Sequence, residues 1–118
     1  MKRTPLKRVG SRTKRKKQAR QALVQRVLDR DNHQCQFWTA AYESPDWLPG
    51  DLVGVSRVCV GPLDVHEIIP RSVWPDGELV ESNCITLCRV SHHAWVTDHP
   101  AEAHRLHLHG FSWDRGAR

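Results

Sequence analysis

Apolar residues recur at helical spacing early in the chain: Ala19, Ala22, Leu23, Val24, Val27 and Leu28 fall at i, i+3, i+4 and i+8 intervals. This period predicts a helix from about residue 14 to 31, with Lys17, Arg20, Gln21, Gln25 and Arg26 on its exposed face. Asp31-Asn32-His33 supplies turn chemistry at its end. Residues 1 to 13 contain Pro5, Gly10 and scattered basic residues without an apolar period, and they read as a disordered basic arm.

Beyond the helix the period shortens. Trp38, Tyr42 and Trp47, with turns at Pro45, Pro49, Gly50 and Gly54, fit two short strands between residues 36 and 58, of which Leu52 to Val60 is the better candidate. Leu63 to Ile68 alternates as a strand and stops near Ile69, because Pro70 cannot continue a central ladder. A long loop with Pro75-Asp76-Gly77 leads to a second strand at about Cys84 to Leu87, and loops of this length in small domains usually serve function. A helix is expected from about Cys88 to Thr97. Pro100, at a first helical position, opens another through Leu106. Leu106, Leu108, Phe111 and Trp113 then form a tail that packs back in extended form.

Length and composition bound the answer. A chain of 118 residues with 39% hydrophobic content folds as one domain, residues 14 to 118, with a modest core that needs a staple. No apolar run approaches the roughly 20 residues that cross a bilayer, and no apolar stretch follows the basic start as in a secretory signal. A cytoplasmic protein without membrane association is expected, and there cysteines serve as metal ligands or buried thiols rather than disulfides.

The net charge of +5 is unevenly spread. Residues 1 to 30 hold twelve Lys or Arg and one acid, whereas the remainder holds six against twelve acids. Such a basic opening is the electrostatic footprint of a nucleic-acid binder, with Lys14, Arg15, Lys16, Lys17 and Arg20 as phosphate contacts. The plainer alternative is a solvated charge run.

The chemistry concentrates in Asp64-Val65-His66-Glu67-Ile68-Ile69-Pro70-Arg71, Asn83 and Leu87-Cys88-Arg89-Val90-Ser91-His92-His93. Their order resembles the HNH endonuclease family, whose signature reads roughly Asp-x-His-His-Ile-x-Pro and then Asn-x-x-x-Leu-Cys-x-x-Cys-His; the likeness runs from Gly61 to Pro100. It implies an α+β fold, a small ββα-metal core (HNH, His-Me finger) over residues 61 to 99, preceded here by an amphipathic helix and a basic arm. It implies DNA cleavage with one divalent metal (Mg, Mn, Ni or Zn) held by His66 and His92, with Glu67 as general base, Asn83 positioning that base or its loop, and Asp64 in support. The likeness is to stand-alone bacteriophage members that assist genome packaging, which implies a host-cell cytoplasm and a terminase or other packaging protein as partner.

The chain departs from that signature in three places. Glu67 stands where the family has a His, so the expected base is a carboxylate. Ser91 replaces the second Cys, and a hydroxyl is a poor zinc ligand. A structural zinc then falls to Cys35, Cys59 and Cys88, with Cys84 or a nearby His as fourth ligand; the alternative is that the cysteines are small buried hydrophobes, Cys84 above all. Finally His92 is doubled by His93, and Val96 stands where many members carry another His. A shift of one residue in helix register would turn His93 rather than His92 to the metal.

Arg71 is suited to gripping phosphate with its planar fork, while His99, His104, His107 and His109 fit no pattern and read as surface residues. Two rival functions remain open at this stage. One is a catalytically degenerate, zinc-stabilised DNA-binding module, and the other a nuclease subunit that needs a partner.

Overall fold

The structure is a computed structural model that describes residues 4 to 117, and their side chains from Thr13 to Asp114. Helix α1 spans Thr4–Arg30 and helix α2 Phe37–Glu43, followed by strand β1 at Leu63–Glu67 and strand β2 at Cys84–Cys88. A π-helical turn, Arg89–His93, leads into α3 at Ala94–Asp98, and α4 covers Pro100–Arg105. The chain is thus a small α+β fold.

The strands pair antiparallel, Leu63 opposite Cys88 and Glu67 opposite Cys84, as a two-stranded sheet between two helical layers. Side chains alternate along a strand, so the sheet has two chemically different faces. On one, Val65 and Cys84 pack with Leu23 and Val27 of α1. On the other, Leu87 joins Phe37 and Ala41 of α2, Val96 of α3, Ala103 of α4, and Leu106 and Leu108. A two-stranded sheet is not stable alone in water, and burial of both faces is what holds it.

Several expectations need correction. Helix α1 begins at Thr4, so residues 4 to 13, expected to be disordered, continue the helix; Lys and Arg are good helix formers, and Pro5 falls in its first turn, where its missing N–H costs nothing. Met1 to Arg3 lie outside the described residues. The strands expected between residues 36 and 58 are replaced by α2 and an irregular segment. Phe37 and Ala41, four apart, bury together as helical neighbours, and the Gln36 amide donates to Thr86 O at 2.8 Å, anchoring α2 to β2. The following segment is pinned by Asp51, which accepts from the Leu48 amide and from Arg105.

The long loop after β1 is closed by Asn83, which is fully buried. Its Oδ1 accepts from the Ile69 amide at 2.9 Å, and its Nδ2 donates to Ile69 O and Gly77 O at 3.1 Å each. Gly77 is required by close approach, because a Cβ there would lie 2.6 Å from Trp74 Cε3 and 2.8 Å from Asn83 Nδ2. The tail packs back through Leu106 and Leu108, and the Gly110 amide donates to Ile68 O at 2.8 Å. Trp113, expected to join them, is 73% exposed, because a 3-10 turn at Ser112–Ala117 follows. Among the described residues no helix is long and apolar enough to cross a membrane.

Candidate functional site

The first site gathers residues far apart in sequence. The thiols of Cys35, Cys59 and Cys88 and the imidazole of His92 bring their ligand atoms within 4.8 Å of one another. His92 Nδ1 lies 3.0 Å from Cys88 Sγ, 3.4 Å from Cys35 Sγ and 3.7 Å from Cys59 Sγ. Its Nε2 lies 2.7 Å from Ser56 O. A carbonyl only accepts, so Nε2 carries the proton and the Nδ1 lone pair faces the sulfurs. The fully buried ring is fixed by stacking on Phe37, with centroids 4.5 Å apart and planes 11° apart.

Three thiols so close obstruct one another's ionisation. Burial pushes the Cys35 thiol up, and burial with the two neighbouring thiols pushes Cys59 up to about 12. Burial acts the same way on Cys88, but the Val60 amide and hydrogen bonds from the other two thiols bring it below its ordinary value. A cation at the centre would remove that conflict, since metal ligation deprotonates thiols outright. Three sulfurs and one nitrogen at these separations suit a metal ion, and as a closed four-ligand set they suit a structural one.

Cys84 does not belong to this group. It sits at the opposite end of β2, four residues from Cys88 and hence about 13 Å away at strand rise, where it packs against α1 and lies 3.7 Å from Arg20 Nη1.

The second site lies where β1 meets the helical layer. His66 is buried, and its Nε2 lies 2.7 Å from Leu108 O; the carbonyl only accepts, so Nε2 carries the proton and donates it in a hydrogen bond, leaving Nδ1 with the lone pair. Burial pulls its pKa down to about 4, so the ring is neutral at pH 7 and able to ligate. His93, not His92, is its neighbour, with ring centroids 5.0 Å apart. His93 Nδ1 lies 2.8 Å from Asp64 Oδ2. Arg89, beside the same carboxylate, leads the influences that hold Asp64 below the usual range. An ionised Asp64 accepts the Nδ1 proton, which leaves Nε2 of His93 as its free donor atom.

Helix register explains the exchange of His92 for His93. Successive residues on a helical turn point about 100° apart, and a π turn holds one residue more than an α turn. The extra residue lets Cys88 and His92, four apart, both reach the cluster while His93 turns back to β1.

Glu67 faces the other way, as alternation along β1 requires. Arg71 grips its carboxylate through Nη2 and through Nε at 3.3 Å, and Arg20 Nη2 stands 3.3 Å from it. Arg20, expected on the exposed face of α1, thus turns inward, donating also to Glu78 O at 2.6 Å and Val65 O at 3.3 Å. Arg71 bridges onward to Glu78, which Lys16 meets at 2.9 Å. Lys14, Arg15, Lys16 and Lys17 are all exposed on α1. Asn83 makes its side-chain bonds to the loop backbone, at Ile69 and Gly77.

Arg20, His66, Glu67, Arg71, Ser72, His93 and His109 line one cleft of about 440 Å³. Arg20 and Arg71 also line the adjoining hollow formed with Lys16, Lys17 and Gln21. His109, read from sequence as a surface residue, reaches the cleft because the tail runs along the end of β1. The alternation of buried Leu106 and Leu108 with His107 and His109 is the one pattern that could have drawn attention to it. No protein-family profile matches the chain, and neither does any curated protein or solved structure.

Proposed function

We propose that this chain is a metal-dependent endonuclease of the HNH type, hydrolysing phosphodiester bonds in double-stranded DNA on a ββα-metal core stapled by zinc. The observation that carries the reading is the pairing of His66 and His93, 5.0 Å apart, in a cleft that also holds Glu67, Arg20 and Arg71. Two imidazoles with ring nitrogens directed by fixed partners are suited to one divalent ion, and a catalytic ion keeps its remaining positions for water and substrate.

His66 Nδ1 and His93 Nε2 would hold the divalent ion, which would supply Lewis acidity at a phosphate oxygen. Asp64 holds the His93 ring and Leu108 O the His66 ring in their donor tautomers. Arg20 and Arg71, at the junction of the two hollows, meet the phosphate charge. Lys14, Arg15, Lys16 and Lys17 add affinity without sequence preference, because phosphate contacts position but do not specify.

Cys35, Cys59, Cys88 and His92 hold zinc as the staple this small core needs, with His92 in place of the missing cysteine at Ser91. The resemblance to phage packaging nucleases extends the proposal to work beside a terminase in a host cytoplasm.

One observation favours a second reading. Glu67 is tied to two arginines, as befits a structural acid, and a DNA-binding module that does not cut would tolerate that. Supercoiled-plasmid nicking with Mg²⁺, Mn²⁺, Ni²⁺ or Zn²⁺ separates the two. Metal-dependent nicking lost in both His66→Ala and His93→Ala is the expected result. DNA binding with no nicking by any metal would install the binding module instead, and nicking that appears only with an added packaging protein would make this chain a partner-dependent subunit.

A further inference from the structure

We infer that the aromatic groove formed by α2 and the segment after it docks a proline-rich stretch of a partner protein, one with a basic residue beside its prolines. The inference is independent of the nuclease reading, because the groove shares no lining residue with the cleft of His66 and His93.

Trp38 and Tyr42, four apart on α2, lie on one side of that helix with ring centroids 5.9 Å apart. Phe37, one position earlier, turns into the core. The irregular segment that follows packs on the same core through Leu52 and Val55. It brings up Trp47, Pro49 and Arg57, and together these residues enclose a groove of about 330 Å³. Tyr42 remains 69% exposed and Trp47 38%. Clustered aromatic surface left in water marks an interaction site, and Trp, Tyr and Arg are the side chains in which binding energy concentrates.

The polar tips of the groove select its occupant. Among the described residues, the Tyr42 hydroxyl, the Trp47 indole N–H and the Arg57 guanidinium have no hydrogen-bond partner, and Arg57 is held only by lying 5.2 Å from the Trp38 ring centroid. Trp38 Nε1 is buried with no acceptor. All four groups can donate, whereas the lining side chains offer no carboxylate, amide or imidazole to accept. The fitting ligand therefore supplies acceptors, brings few donors and has apolar rings to lay against the aromatics. A polyproline II segment does all three. Proline has no backbone N–H, the helix makes no internal hydrogen bonds and so leaves its carbonyls free, and aromatic-lined grooves are the surfaces on which such segments dock.

Charge decides against the other class that stacks on aromatic rings, single-stranded nucleic acid. A run of phosphates needs a basic track, but Arg57 is the one cation among the described residues that line the groove. Glu43 and Asp46 adjoin Tyr42 and Trp47 in sequence. Among the described residues Glu43 has no cationic partner, and Asp46 meets only His107, at 2.7 Å. Two acids next to the exposed aromatics favour a Lys or Arg next to the prolines.

The test titrates the full-length protein, as purified, with a polyproline peptide of about ten residues bearing one terminal Arg, with a Gly-Ser peptide of equal length and charge, and with oligothymidylate. Calorimetry reads the affinity, and NMR follows the indole N–H signals of Trp38 and Trp47. The proline peptide should bind saturably and move both signals, while the Gly-Ser peptide does neither. Tyr42→Ala and Trp47→Ala, both surface substitutions that leave the fold intact, should each weaken binding about tenfold or more, the scale of a hot-spot residue. Plasmid nicking should stay at the wild-type rate in both variants. The inference is overturned if the proline peptide does not bind saturably, or if both variants bind it as the wild type does. It is equally overturned if oligothymidylate binds in its place and the two substitutions abolish that binding, since the groove would then be a nucleic-acid site. A wild type that binds the peptide but nicks no DNA leaves this inference standing and sinks the nuclease reading alone.

Discussion

The carboxylate of Asp64 and the Nδ1 of His93 lie 2.8 Å apart, bridging β1 to the turn that opens α3. Asp64 also receives Arg89 through Nε and Nη2, at 2.9 to 3.2 Å, so the carboxylate is held from two directions. This pair fixes which face of the His93 ring meets the cleft. It also explains an acidic residue two positions before His66, on the same face of the strand.

Replacing Asp64 by Asn keeps the shape and removes the charge. Outer partners of a metal-bound histidine typically contribute 10- to 100-fold in affinity or activity. Asp64→Asn should therefore weaken binding of the catalytic ion by about that factor, read by titrating Mn²⁺ in the nicking assay. An unchanged half-saturation would mean that His93 is no ligand.

Adjacent histidines with separate duties make a sharper prediction. His92→Ala removes one of four ligands of the zinc cluster, whereas His93→Ala leaves all four. The purified wild type should carry one tightly held zinc, His92→Ala should lose it, and His93→Ala should retain it while losing nicking. Loss of the staple should lower Tm by more than about 10 °C, since each kcal/mol moves a domain of this size by roughly 4 °C. Metal analysis alongside circular dichroism decides it. Equal zinc content in the two variants would overturn the division.

Asn83 is predicted to act on stability and only through it on the site. Its side chain makes three hydrogen bonds with no exposure to solvent, and truncation strands the Ile69 amide and carbonyl and leaves Gly77 O only the Val80 amide. With roughly 1 kcal/mol lost per bond and a further penalty for buried unpaired groups, Asn83→Ala should lose about 3 kcal/mol in urea denaturation. Asn83→Asp should fare little better, because it cannot donate to Ile69 O and Gly77 O. A variant that unfolds at the wild-type midpoint would show that the loop is held elsewhere.

The parts of this molecule legible in sequence are those set by short-range pattern. The apolar face of α1, alternation at Leu63–Glu67, and the helix opened by Pro100 all carry a local period or breaker. Leu23 and Val27 are indeed buried, though Ala19 and Ala22 are not, because the sheet that α1 covers reaches only the C-terminal half of that face. What sequence could not carry was the path of residues 36 to 62, where Trp38, Tyr42 and Trp47 fit strand or helix equally well and only burial of Phe37 against β2 decides. The same applies to the metal cluster: Cys35 and Cys59 are set beside Cys88 by tertiary contact alone. His92 joins them through one turn of π geometry that has no marker in the residue types. His109 was missed for a similar reason, as a side chain in a tail without helical or strand neighbours in sequence.

The last prediction concerns acid. Asp31, buried at the end of α1, accepts from the Thr86 amide at 3.0 Å and from Arg30 at 2.9 and 3.0 Å, joining the helix to the centre of β2. Burial alone would raise its pKa, but Arg30 and the Thr86 amide together hold it below 3.8. A carboxyl depressed on folding stabilises the protein above its unfolded pKa, and that contribution fades as pH falls through the folded value, because the unfolded chain then binds the proton first. Asp31→Asn should thus cost about 2 kcal/mol at pH 7, the worth of a charge-assisted hydrogen bond. The gap between wild type and variant should narrow steadily below pH 3.8. Urea midpoints measured at pH 7 and again in acid check this. A gap that stays constant would place the contribution of Asp31 in its shape rather than its charge.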